Sequence, residues 1–167
     1  RLGTLEDDSE KRRKLLDDAV LEFKKAIRMR PDNTDTHLHL GLSWFELDKF
    51  EDAIKEYQEV LRLDPDDVYA HYNLGNVYYE LGAENPKFLD MALAEYKQSI
   101  HKNPEDLKSH NNIADCLLRM GRAEEARTVI EAVLADNPDY IPAHCTRGEI
   151  LAALNLRWDA IREYKRI

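Results

Sequence analysis

Cysteine is scarce: only Cys116 and Cys145 occur in 167 residues. Their separation fits no zinc-binding spacing, and Cys116 falls among core-facing residues while Cys145 falls on a different helix face, so no disulfide is expected. Reduced cysteines suit a cytoplasmic protein. No apolar run approaches the ~20 residues that a membrane-spanning helix needs, so no membrane insertion is expected. A signal-peptide pattern is missing too, which decides little because the chain opens on Arg1 without a methionine. Also missing are a phosphate loop, Gly-x-Gly-x-x-Gly, His-Glu-x-x-His, Gly-x-Ser-x-Gly and Cys-x-x-Cys. These absences argue against an enzymatic site in this segment, and no cofactor or metal is expected.

Positive charge is also in deficit. Acidic residues number 33 and basic residues 24, for a net charge of −9. The deficit is concentrated: residues 31–106 hold 17 acidic and 6 basic side chains, while residues 1–30 hold 7 and 9. Nucleic acid is bound by clustered Lys and Arg, so an acidic middle argues against it. A neutral to basic protein partner fits better. Most of these carboxylates read as a solvated outer face.

What is present is a period. Ala19/Phe23/Pro31, Ala53/Tyr57/Pro65, Ala92/Tyr96/Pro104 and Ala126/Ile130/Pro138 repeat one spacing, and Ala160/Tyr164 starts it again. Successive alanines lie 34, 39, 34 and 34 residues apart. A period of this length means stacked two-helix units, each burying its apolar face on its neighbours. Proline disfavours helix in the residue before it, so each amphipathic run stops near Pro31, Pro65, Pro104 and Pro138. Asn33, Asp67 and Asp106 follow and can cap the next helix.

Within a unit the apolar register shifts once, marking a turn: around Asp48-Lys49, at Gly82 and at Gly121. Helix pairs are expected near 36–62, 68–102, 107–135 and 141–167, after one long helix around 9–29. The 39-residue interval reflects extra residues near 83–87, where Asn85 can cap and Pro86 can enter the first helical turn. Nothing reads as a strand.

The stretches Leu40-Gly41…Trp44…Ala53…Tyr57…Pro65 and Leu74-Gly75…Tyr78…Ala92…Tyr96…Pro104 resemble the tetratricopeptide repeat family. His71-Tyr72-Asn73-Leu74-Gly75-Asn76-Val77-Tyr78-Tyr79 is very close to that family's first helix. The resemblance implies an all-α, right-handed superhelical solenoid of antiparallel helix pairs. It places a partial first repeat at 1–33, full repeats at 34–67, 68–106 and 107–140, and a truncated repeat at 141–167. Departures are Ala114 and Leu117 for the usual Gly and Tyr, and Arg147 where a buried leucine is expected. Leu2-Gly3 could open a first helix, and both ends read as cut within a unit.

The resemblance also implies a concave groove lined by the first helices. Carried onto this sequence, its candidate peptide-binding residues are Leu38, Leu42 and Phe45, with His39 beside them, then Tyr69, Tyr72, Asn73, Asn76 and Tyr79, then Lys108, Asn111, Asn112 and Asp115. Tyrosines offer contact area at low entropic cost, and amides hydrogen-bond a peptide main chain. Some relatives clamp a terminal carboxylate with Lys, Asn, Asn, Lys and Arg. Here Asn76 and Asn112 match, but Tyr72, Pro142 and Thr146 stand where cations belong, so a full clamp is not expected.

His37, His71, His110 and His144 recur at one place in the period. Neighbouring units are spaced about 8–10 Å apart, too far for one ion to bridge, so they read as half-buried rings at helix seams. The leading functional expectation is a scaffold binding a peptide or protein in the groove. One alternative is a regulatory or substrate-positioning arm of a larger enzyme such as a glycosyltransferase. Another is a module that self-associates through open repeat ends.

Overall fold

A computed structural model describes the backbone of residues 2–166 and the side chains of residues 8–166. Among the described residues there are nine helices and no strand. They are α1 (Leu2–Met29), α2 (Thr34–Glu46), α3 (Phe50–Leu63), α4 (Val68–Leu81), α5 (Lys87–Lys102), α6 (Leu107–Arg119), α7 (Ala123–Asp136), α8 (Ile141–Ala153) and α9 (Arg157–Tyr164). The fold is all-α, built of helix pairs. The chain forms two compact units, Arg1–Val77 and Tyr78–Ile167, with the boundary inside α4.

The first unit is α1, packed on α2, followed by the α2/α3 pair. Helix α1 runs without a turn and begins earlier than the expected residue 9. The surroundings of Leu2 and Gly3 lie outside the described residues. In the second unit α6 pairs with α7 and α8 with α9, and α5 packs on α6.

Caps sit where the sequence placed them. Asn33 Oδ1 accepts from Thr36 N at 2.8 Å, Asp67 from Ala70 N at 2.7 Å, and Asp106 from Ser109 N at 3.3 Å. Each satisfies a backbone donor that the first helical turn leaves orphaned. Turns inside the pairs use a second device. Asp48, Gly121 and Asn155, all seven residues after Gly41, Ala114 and Gly148, adopt φ of 58°, 76° and 62°. These are residue types that tolerate the left-handed region. The extra residues after Gly82 lengthen that turn and let α5 start early, with Asn85 Oδ1 accepting from Lys87 N at 3.1 Å.

The core is small residue against large ring. Ala53, Ala92, Ala114 and Ala126 are fully buried, as are Tyr57 and Tyr96. A Cβ on Gly41 would lie 2.6 Å from the Tyr57 ring, so α2 approaches α3 as closely as a bare backbone allows. The recurring histidines have a structural role. Nε2–H donates to a proline carbonyl six residues back in every case: His37 to Pro31 (3.1 Å), His71 to Pro65 (3.1 Å), His110 to Pro104 (2.8 Å) and His144 to Pro138 (2.7 Å). In two units the other ring nitrogen meets a glutamate of the paired helix, His37 with Glu56 at 2.6 Å and His144 with Glu163. Those two carboxylates are therefore seam groups and not part of a solvated outer face.

Arg147 is accommodated in the same way. Its Nη2 donates to Glu163, giving the cation a buried counter-charge where a leucine was expected. Burial works to raise the Glu163 carboxyl, but hydrogen bonds from Arg147 and His144 outweigh it and hold the group below its ordinary range.

Two glycine substitutions separate packing from propensity. Glycine to alanine inside a helix gains about 1 kcal/mol of propensity, while overpacking costs about 1–3 kcal/mol. At Gly41 the ring in the way, Tyr57, is 1 % exposed and has nowhere to go. At Gly148 it is Tyr164, 46 % exposed and free to swing outward. We predict that Gly41→Ala lowers stability in a urea melt and that Gly148→Ala leaves it unchanged or raises it. Equal effects at the two sites would contradict this packing account.

Candidate functional site

The first-helix residues named from the sequence fall into different environments. In the first unit, Leu38, Leu42, Tyr69 and Asn73 line one hollow of about 290 Å³, together with Asp35 and His39. They come together because α2 and α4 both begin just after a cap, which sets their first turns in the same register. Leu42 is 45 % exposed and Tyr69 is 70 % exposed, so neither side chain is consumed by the core. His39 is braced from behind, with its ring 5.8 Å from that of Phe23 on α1 and Nδ1 2.6 Å from Asp35 O. Phe45 instead packs on Phe50 across the turn, ring centroids 5.8 Å apart. It is half-buried and is not among the lining residues. Tyr72 and Asn76 are half-buried as well.

In the second unit Lys108 is exposed, and Asn112 and Asp115 are half-buried. Asn111 is buried at 8 % exposure, and its Oδ1 has no hydrogen-bond partner. It is therefore not a groove-surface residue, contrary to the expectation. The helical register placed it on the groove side, but the fold buries it. Tyr79 is half-buried and held by Arg119, whose Nη1 donates to Tyr79 O at 2.9 Å and whose guanidinium lies 4.4 Å from the ring centroid. This contact was not legible in the sequence, because a residue forty positions away supplies it.

Electrostatics single out Asp115. Burial pushes its carboxyl up to about 6, partly opposed by the hydrogen bond from Thr146, while the Glu149 charge raises it further. Burial and the Asp115 charge in turn push the Tyr79 phenol up. Cys116, next in the chain, is fully buried with its thiol pushed up to about 12 by burial, so it is no nucleophile. Among the described residues no group of His, Cys, Asp and Glu is arranged to hold a metal ion. No described helix is long and apolar enough to cross a membrane.

Comparison with known proteins places this geometry. A family model described as TPR repeat matches residues 41–82, and one described as Tetratricopeptide repeat matches residues 89–145. The chain belongs to the tetratricopeptide repeat family. No curated protein sequence matches it significantly. Among solved structures, the fold is similar to a MamA protein at 22 % identity, covering 95 % of this chain and 84 % of that one, TM-score 0.76. It is also similar to MamA from Desulfovibrio magneticus RS-1 at 17 % identity, covering 93 % and 85 %, TM-score 0.80. A third is YrrB, described as a TPR protein with an unusual peptide-binding site, at 20 % identity, covering 90 % and 75 %, TM-score 0.70.

The Asp115 environment gives a pH prediction. Its unfolded carboxyl titrates near 3.8 and its folded one near 6. Below both values the group is neutral in either state, and its contribution to stability is fully present. As pH rises through the folded value, the fold must carry a charge that it disfavours, and that contribution is lost. Asparagine never ionises. We predict that Asp115→Asn matches the parent near pH 4 in urea melts, then becomes more stable by up to about 2–3 kcal/mol above pH 6. A difference that does not change with pH would contradict the burial of this charge.

Proposed function

We propose that the chain is a protein-interaction scaffold that holds an extended peptide against the first helices of its repeats. The observation that carries this is the hollow at Leu38, Leu42, Tyr69 and Asn73. An apolar floor, an exposed tyrosine and an amide suit a peptide. The floor takes a side chain, the ring adds contact area at little entropic cost, and the amide can pair with the main chain. The peptide-binding site described for YrrB supports the reading by likeness of fold. The acidic stretch of residues 31–106 favours a partner that is neutral to basic.

A second reading, self-association, is favoured by one observation. Helix α9 exposes Trp158 at 81 %, with Ile161 and Tyr164 also exposed. Sedimentation of the parent and of Trp158→Ser over a range of concentrations tests it; association that the substitution abolishes is what that reading requires.

For the leading reading, peptides selected by display on the protein supply the ligand. We predict that Leu42→Ser and Tyr69→Ala each weaken the selected peptide by about 1–2 kcal/mol with unchanged helicity. Gln58→Ala on the exposed side of α3 should leave affinity unchanged. Binding that tolerates both groove substitutions and fails on the α3 substitution would move the site to the other face.

A further inference from the structure

The second unit carries a hollow of about 490 Å³ between the turn before α6 and the last turns of α7. Its floor is apolar: Leu107 is half-buried, Val133 is buried and Ala132 is small. Glu105, His110 and Asp136 stand around that floor. The period explains why a hollow lies here. The place of Ala132 is held by Lys25, Glu59, Gln98 and Arg166 in the other units, and the place of Val129 by Glu22, Glu56, Glu95 and Glu163. The unit of residues 107–140 therefore lacks both a long side chain and a carboxylate that the rest of the chain repeats.

His110 registers the missing carboxylate. In His37 and His144 one ring nitrogen meets a proline carbonyl and the other a glutamate nineteen residues on. His110 keeps the first bond, to Pro104 O at 2.8 Å, but nineteen residues on stands Val129, and Nδ1 makes no hydrogen bond among the described residues. In a neutral ring whose Nε2–H donates, Nδ1 is an acceptor. Glu105 and Asp136 are exposed, and neither carboxylate makes an ion pair among the described residues. No lysine or arginine lines the hollow. Around an apolar floor there are thus two carboxylates and one ring acceptor, all uncommitted. An anion would meet like charge here, and an apolar group would use the floor alone.

We infer that this hollow is a second interaction surface, which takes an arginine side chain of a partner protein. The aliphatic stem of arginine covers Leu107, Ala132 and Val133 while its charged head stays at the polar edge. The acceptors come from two elements, the turn before α6 and the end of α7, and His110 adds a third on α6. A guanidinium offers five donors in a planar fork and reaches several such groups at once, where a lysine ammonium acts as a single point charge. All the lining residues belong to the second unit, so the inference stands apart from the groove reading of the first.

The test is a titration of the labelled protein with Nα-acetyl-arginine amide, read on the His110 ring and Val133 methyl resonances. The citrulline and glutamate amides serve as its uncharged and anionic counterparts. The arginine amide should move both resonances saturably, and the other two should not. Ala132→Gln restores the side chain that Gln98 supplies one unit earlier, and should abolish the response with helicity unchanged. Glu105→Gln and Asp136→Asn should each weaken the arginine amide by about threefold, the scale of an exposed ion pair. An arginine amide that leaves both resonances unmoved overturns the inference, as does a glutamate amide that moves them in its place. A response that persists undiminished in Ala132→Gln also overturns it, because the attraction is then to the acidic protein at large. None of these outcomes touches the hollow at Leu42 and Tyr69, so failure here leaves the groove reading to its own test.

Discussion

Close approach between the two helices of a pair is the constraint on which the rest depends. A pair of three- to four-turn helices has little stability of its own, because most of what holds such helices comes from burying an apolar face. That burial needs the backbones to come near, and nearness needs a small residue where they cross. Gly41 against Tyr57 and Gly148 against Tyr164 show how tight the fit is, the fully buried Ala114 holds the equivalent place on α6, and the fully buried Ala53, Ala92 and Ala126 are the small residues of the second helices. With the crossing set, the prolines and caps decide only where each helix starts and stops. The recurring histidines then lock each first helix to the carbonyl of the proline before it.

This arrangement leaves the first helices with a side that the core does not claim. Leu42 and Tyr69 are exposed there although both are costly to leave in water. Further along, Asp115 and Asn111 keep acceptor capacity that the fold does not fill. Natural folds satisfy most buried polar atoms, and among the described residues two stand out as unpaired: Asn111 Oδ1, and Arg147 Nε beside the His144/Glu163 seam.

Much of the fold was legible because the period repeats its own evidence. Ala, Tyr and Pro at constant spacing, with Asn33, Asp67 and Asp106 as caps, located the helices after Pro31 to within a few residues, while the start of α1, which no such signal precedes, came out too late. The site was legible in part. Leu38, Leu42, Tyr69 and Asn73, which helical register assigned to the first helices' open side, line one hollow, since caps one period apart align α2 and α4. Register could not show that Asn111 is covered or that Phe45 turns to Phe50, because both depend on side chains from another helix or across a turn. Nor could it show Arg119 on Tyr79, or Glu56 and Glu163 turned inward to histidines. Those pairings join residues far apart in sequence through the stacking itself.

The central claim is that the unclaimed side of the first helices is where this protein meets its partner. The most direct measurement is amide and methyl chemical-shift mapping of the labelled protein, titrated with a display-selected peptide. The account predicts that the largest shifts cluster on Leu38, Leu42, Tyr69 and Asn73. Shifts concentrated instead on the outward sides of α3, α5 and α7, with these residues unmoved, would contradict it.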